Sequence, residues 1–256
     1  MKFVVIKKKG FILAVIAVIS MILLSINYDG GVSASVFFGN APRLVPIYSV
    51  DTDEKKIAIS FDTAWGADKT EKIVEILEEY NVGATFFMVG FWVEDYPEMV
   101  KLIDDKGIEI GTHSNTHPDF VNLSTEQMKL ELTTSIDSIK KITGKEVKLF
   151  RAPYGSYNNA MLNLTNSMGL KTIQWDVDTL DWKGYSGVEI TERVMSRVKN
   201  GSIILCHNNA DHIIDALPLM LERLHNAGYK VVSVGDLIMH NDYYIDNLGI
   251  QRKNDN

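Results

Sequence analysis

The chain has 256 residues, 46% of them hydrophobic and 23% charged, which is enough apolar content to bury one substantial core and too much for a disordered polymer. A formal net charge of -7, with no basic stripe beyond the extreme N-terminus, excludes a general nucleic-acid binder. A single cysteine, Cys206, excludes an intrachain disulfide and leaves the compartment open.

The first residues speak to the compartment. Lys2 and Lys7-Lys8-Lys9 precede an uncharged stretch from Gly10 to Tyr28 with its apolar heart at Phe11 to Leu24, the layout of a basic n-region followed by an h-region. Residues 1–28 are therefore expected to be a signal peptide or a signal-anchor helix: long for a cleaved h-region, just long enough to span a bilayer, with Val32-Ser33-Ala34 offering small residues for cleavage. Lysines on the near side predict a cytoplasmic N-terminus and a body outside the cytoplasm, secreted or membrane-anchored through this helix. A buried core helix does not suit a segment with no polar face. Residues 29–54 read as a tether and an extended lead-in around Pro42 and Pro46, residues 55–240 as the folded domain, and residues 241–256 as a loose polar tail.

Within the domain, strand-like and helix-like patterns alternate. Ile57 to Phe61 is a short apolar strand, and Ile73, Ile76, Leu77 and Tyr80 then recur at helical spacing. Ala84 to Met88 is a second strand, followed by a helix entered at Pro97 and stopped at Gly107. Ile108-Glu109-Ile110 is a third strand, leading into Gly111-Thr112-His113-Ser114-Asn115-Thr116-His117. Ser124 and Gln127 form a capping-box signature for a long helix carrying Met128, Leu132, Ile136 and Ile139 and ending at Gly144. Val147 to Phe150, Leu170 to Trp175, Ser202 to Cys206 and Lys230 to Val232 complete seven strands. The helices between them run from Ser156 to Gly169, from Val188 to Val198, and from near Pro218 to Gly228. Such alternation predicts a parallel sheet covered by helices, with ligands collecting at the C-terminal strand ends.

Every candidate for chemistry falls on that rim. Asp62 follows the first strand, His113 and His117 the third, Arg151 the fourth, Asp178 and Asp181 the fifth, and His207 the sixth. If one helical turn follows the third strand, His113 and His117 face the same way and can close on one divalent ion; two separately solvated loop histidines are the alternative. Two metal-holding histidines, a carboxylate that takes a proton from water and a third histidine that gives one to a leaving group describe metal-assisted hydrolysis. Arg151 near Asp62 would keep that carboxylate ionised, and Asp178 near His207 would raise its basicity. Taken alone, Arg151 suits a tight turn, the two aspartates helix caps, and His207 and Cys206 the edge of a core.

Ser60-Phe61-Asp62, His113-Ser114-Asn115-Thr116-His117, Arg151-Ala152-Pro153-Tyr154-Gly155, Asp178-Thr179-Leu180-Asp181-Trp182 and Leu205-Cys206-His207 together resemble the five ordered motifs of the polysaccharide deacetylase family, the NodB homology domain or carbohydrate esterase family 4. Arg43 to Tyr48 and Asp62-Thr63-Ala64-Trp65-Gly66 resemble its PdaB-like sporulation branch. The resemblance implies an α/β fold, a distorted seven-stranded (β/α) barrel, and hydrolytic removal of N-acetyl groups from amino sugars of peptidoglycan or a related cell-wall glycan. It assigns Asp62 as general base, His113 and His117 as ligands of zinc or another divalent metal, and Arg151 as the group that steadies Asp62. The Tyr154 backbone N–H becomes an oxyanion donor, Asp178 the tuner of His207, His207 the general acid, and Leu205 with Trp182 the lining for the acetyl methyl. Trp65 and Tyr154 are further candidates to stack on sugar faces.

One position departs from the family pattern: where a second, metal-binding carboxylate stands, this chain has Thr63. A neutral hydroxyl is a weak zinc ligand, so metal affinity should fall unless Asp62, Asp68, Asp119 or water fills the place. The departure opens an alternative, a metal-free glycan-binding protein; an O-acetyl esterase using the same machinery is another.

Overall fold

The structure, a computed structural model, describes residue 15 and residues 43–254. The expected signal or anchor, residues 1–28, and the tether to residue 42 thus lie outside the described residues, that one position apart. Among the described residues no helix is long and apolar enough to cross a membrane.

The elements follow in the order β1 (Ser49–Val50), β2 (Lys56–Thr63), α1 (Thr70–Glu79), β3 (Thr85–Met88), α2 (Gly90–Asp95), α3 (Pro97–Asp105), β4 (Glu109–Thr112), α4 (Thr125–Thr143), β5 (Leu149–Phe150), α5 (Asn159–Ser167), β6 (Lys171–Thr172), β7 (Val177–Asp178), α6 (Gly187–Met195), β8 (Ile203–His207), α7 (Ile213–Asn226), β9 (Lys230–Val232), α8 (Val234–Leu237), β10 (Tyr243–Ile245) and β11 (Ile250–Lys253). The main sheet runs β6-β5-β4-β3-β2-β8-β7, all parallel, with β9 pairing the lower end of β2. Each of the seven expected runs supplies a strand, and the short β7 is an addition. The result is the distorted parallel barrel that the resemblance implies.

Alternation along β2 decides what faces where. Ile57, Ile59 and Phe61 pack under the helices with Phe86, Met88, Ile204 and Cys206, while Ala58 joins Phe87, Leu149, Ile173 and Ile203 inside. Because side chains in a strand alternate faces, Ser60 and Asp62 lie on the same inner face as Ala58, and Leu205 and His207 share that of Ile203. Asp62 and His207 are register partners on the adjacent strands β2 and β8. Two residues more than a hundred positions apart thus meet at one strand end because period 2 and parallel pairing leave them nowhere else.

The helices start where local chemistry lets them. Ser124 accepts from the Gln127 N–H and Gln127 answers to the Ser124 backbone, a full capping box at α4, and Ser186 with Glu189 repeats it at α6. Gly144, at φ 71°, ends α4 in the left-handed conformation that glycine adopts without a Cβ clash. Pro97 begins α3, where a missing N–H costs nothing.

Three expectations need correction. Helix α5 starts after Asn158, whose side chain accepts from the Met161 N–H, rather than at Ser156, which belongs to a tight turn. Helix α7 begins at Ile213 and contains Pro218 five residues in, so that proline is not its entrance. The C-terminal stretch is not loose either: β10 and β11 form a hairpin, and β11 pairs in parallel with β1 in the lead-in. The buried Gln251 fixes it, exchanging two 2.7 Å hydrogen bonds with the Met239 backbone.

Candidate active site

The floor of the rim is a buried ion pair. Asp62 Oδ1 accepts from Arg151 Nη1 at 2.8 Å, and Arg151 Nη2 donates to Ser60 Oγ at 2.8 Å and to the Gln174 carbonyl at 3.2 Å. The fully buried guanidinium lies 4.1 Å from the Phe87 ring centroid, a cation on an aromatic face. Burial alone would raise the Asp62 carboxyl; His113, the Arg151 guanidinium and His207 outweigh it and hold its pKa below the usual 3.8. Asp62 is therefore an ionised carboxylate at neutral pH, with Oδ2 turned toward His113 Nε2 at 3.5 Å.

The histidine pair comes from a loop, not from a helical turn. Ser114 and His117 have φ of 74° and 60°, so the chain reverses twice between the two imidazoles and brings them into edge contact at 4.9 Å between centroids. His113 Nδ1 sits 2.8 Å from the Arg151 carbonyl oxygen; since a carbonyl only accepts, Nδ1 carries the hydrogen and Nε2 presents a lone pair. His117 Nδ1 is buried with no hydrogen-bond partner. Burial lowers the pKa of both rings, that of His117 to about 4, with His113 adding to the effect there. Both are neutral imidazoles near pH 7, the form that binds metal.

His207 is the opposite case. Its Nδ1 donates to Asp181 Oδ1 at 2.7 Å and its backbone N–H to Oδ2 at 2.8 Å. Burial would lower its pKa, but the fully buried Asp181 and the neighbouring Asp62 and Asp178 raise it above 6.5. The direct partner is thus Asp181, which corrects the assignment to Asp178. Asp178 Oδ1 is taken by the Leu180 N–H at 2.8 Å, and Leu180, at φ 53°, turns the chain so that Asp181 comes back beneath His207.

Tyr154 is also left-handed, at φ 61°, and its exposed ring lies 4.7 Å from that of His117. Trp65 flanks His117 at 5.0 Å. Trp65, Tyr154 and Trp182 are each at least 60% exposed, so three aromatic faces stand open around the polar floor. Leu205 is buried on the inner face two residues below His207, whereas Trp182 stands in solvent with Lys183 Nζ 5.1 Å from its ring. Ser114, His117, Tyr154 and Leu180 are four of the six described non-glycine residues with positive φ, and all four lie on this rim.

For a divalent metal the histidine half fits: two neutral imidazoles, one with its lone pair turned inward, the other with an orphaned ring nitrogen. The carboxylate half is thin. Thr63 is fully buried with its hydroxyl 3.4 Å from its own strand's Phe61 carbonyl, Asp68 is exposed, and Asp119 caps Val121 and Asn122. Among the described residues no three His, Cys, Asp or Glu side chains gather as a metal cage. The donors suit an ion held by His113 and His117 and completed from outside, not a closed site.

The family model for polysaccharide deacetylase matches residues 49–173. Among curated relatives, the peptidoglycan-N-acetylmuramic acid deacetylase PdaA of Bacillus subtilis is 31% identical, over 78% of this chain and 78% of that protein. The uncharacterized protein YlxY of Bacillus subtilis is 33% identical over 75% of this chain, which spans only 60% of that longer relative. Among solved structures, a CE4 family pseudoenzyme from Bacillus anthracis superposes with a TM-score of 0.73 at 33% identity, covering 75% of this chain and 68% of that one.

Proposed function

The chain belongs to the polysaccharide deacetylase family, and from that premise we propose that it hydrolyses N-acetyl groups from amino sugars of peptidoglycan or a related cell-wall glycan. The observation that carries this reading is the pairing of Asp62 and His207 in register with pKa values pushed apart, one below 3.8 and one above 6.5. An ionised base beside a histidine whose protonated form is favoured is the acid–base pair that acetamide cleavage calls for.

Asp62 takes a proton from the attacking water while Arg151 keeps its carboxylate charged and aimed. The Tyr154 backbone N–H, set by its left-handed turn, donates to the oxygen of the acetyl group as that oxygen gains charge. His207, oriented by Asp181, gives its proton to the sugar nitrogen as the C–N bond breaks, leaving acetate and a free amine. A divalent ion such as zinc held by His113 and His117 supplies, when bound, Lewis acidity toward the water and the acetyl oxygen. Trp65, Tyr154 and Trp182 offer faces for neighbouring sugar rings. The basic and apolar N-terminal segment supports an extracytoplasmic location, secreted or on the membrane, and the lead-in and first motif support a role in sporulation.

Thr63 favours a second reading, a metal-poor glycan-binding protein of low or no activity. Incubating the full chain with N-acetylglucosamine oligomers and muropeptides, zinc or cobalt present, separates the two. Acetate release that falls by orders of magnitude in Asp62→Asn and His207→Ala is expected. Glycan binding that ignores chelators, with no acetate released from N- or O-acetylated substrates, establishes the second reading instead.

A further inference from the structure

The loop that carries the histidine pair is held from outside the five motifs. The backbone N–H groups of Asn115 and Thr116 both donate to one oxygen, Glu131 Oε2, at 2.9 and 2.7 Å, and the Thr116 hydroxyl donates to Oε1 at 2.7 Å. Successive backbone N–H groups converging in this way form a nest, a concavity that binds anions. Here the anion is the chain's own carboxylate.

The surroundings make Glu131 a fixed point. It projects from α4, which buries Met128, Leu132 and Ile139, and whose Ser135 hydroxyl is 2.7 Å from that of Thr112 at the end of β4. On its other side the loop is gripped by the start of α2, where the Gly90 and Phe91 N–H groups donate to the Ser114 and Asn115 carbonyls. A Cβ on Gly90 would stand only 3.0 Å from Asn115 Cα, so the two backbones lie close on that side. Between these contacts the loop keeps Ser114 and His117 left-handed, a conformation that residues with a Cβ leave when released.

We propose that Glu131 is a positioning residue of the His113–His117 pair, its carboxylate filling the nest at Asn115 and Thr116 and so setting the two imidazoles for an ion. The ion-binding part rests on the function proposed above, and the test reads the nest and the ion separately.

The full chain is compared with Glu131→Ala and Glu131→Gln by zinc titration calorimetry, by amide hydrogen exchange at Asn115 and Thr116, and by thermal unfolding. Glu131→Ala should bind zinc about 10–100-fold more weakly, the usual effect of losing a partner that orients metal ligands, and should lose protection at both amides. Glu131→Gln should retain both properties within a few-fold, since its amide oxygen still accepts two N–H groups and the Thr116 hydroxyl can turn to accept from the amide nitrogen. Formate, a small carboxylate able to enter the vacated nest, should restore protection and zinc affinity in Glu131→Ala. Wild-type affinity in a folded Glu131→Ala, or no rescue by formate, overturns the proposal. Should wild type bind no zinc, the ion-holding role of the pair falls, and the amide protection with its formate rescue alone decides whether Glu131 sets the loop.

Discussion

Two carboxylates, one buried at the rim and one half-buried at the base of the barrel, have their pKa values driven in opposite directions. Asp62 ends β2 at the rim and faces His113 and a guanidinium, so its pKa falls below 3.8 although burial works against it. Glu109 opens β4 at the base, where Oε2 accepts from the Thr85 hydroxyl at 2.6 Å and the Gly235 N–H at 2.9 Å; burial prevails over these neutral donors and its pKa rises above 4.5. Burial is common to both, so the charge of the partner decides which carboxylate can serve as a base. The rim invests in keeping a charge, whereas the base needs only two hydrogen bonds to seat α8 against β3 and β4.

Removing the partner is the strongest way to break the contrast. Arg151→Met takes the permanent cation from beside Asp62 and should raise its pKa, at a cost of about 3–5 kcal/mol, read by urea unfolding at pH 7. A loss below about 1 kcal/mol would mean that the pair is not the anchor of the rim. The depressed pKa of Asp62 also makes its contribution fully present above 3.8 and lost as pH falls through the folded value, so wild type and variant should converge in acid.

How much of this was legible differs between the two ends. The strands, the alternation that places Asp62 and His207 inward, and the capping boxes follow from periodicity and local chemistry. The choice of Asp181 over Asp178 was not readable, because it depends on Leu180 adopting a left-handed turn that its side chain disfavours. Nor was the loop form of the histidine pair, for the same reason at Ser114 and His117. Glu131 looks like a solvated helix residue until its acceptors meet the loop, and β10 and β11 carry too little apolar pattern to declare themselves. The sole hint of Glu131 was its place on α4 between the buried Met128 and Ser135.

Weaker perturbations sharpen the same contrast. His207→Ala should lower acetate release by about 10²–10⁴-fold. Asp181→Asn should move the alkaline limb of the pH–rate profile down, because the carboxylate that raises the His207 pKa is gone. Activity at pH 8 then falls more than activity at pH 6, and equal losses at both would assign Asp181 to structure alone. Thr63→Asp, restoring a carboxylate beside Asp62, should tighten zinc binding in calorimetry; unchanged affinity would show that Thr63 is not what weakens the site.

Glu109→Gln should matter least, within about 1 kcal/mol, because an amide oxygen still accepts from Thr85 and Gly235. A raised pKa means that wild-type stability declines as pH climbs from 4.5 toward the folded value. The variant should therefore gain on wild type as pH rises above 4.5, and a loss there would point to a charged Glu109.

The central claim, that Asp62 is ionised while His207 holds its proton, is tested most directly by NMR titration of the two side chains in the full-length protein. The account predicts that His207 titrates above 6.5 and Asp62 below 3.8. A neutral His207 at pH 6, or an Asp62 that protonates above 3.8, would contradict it.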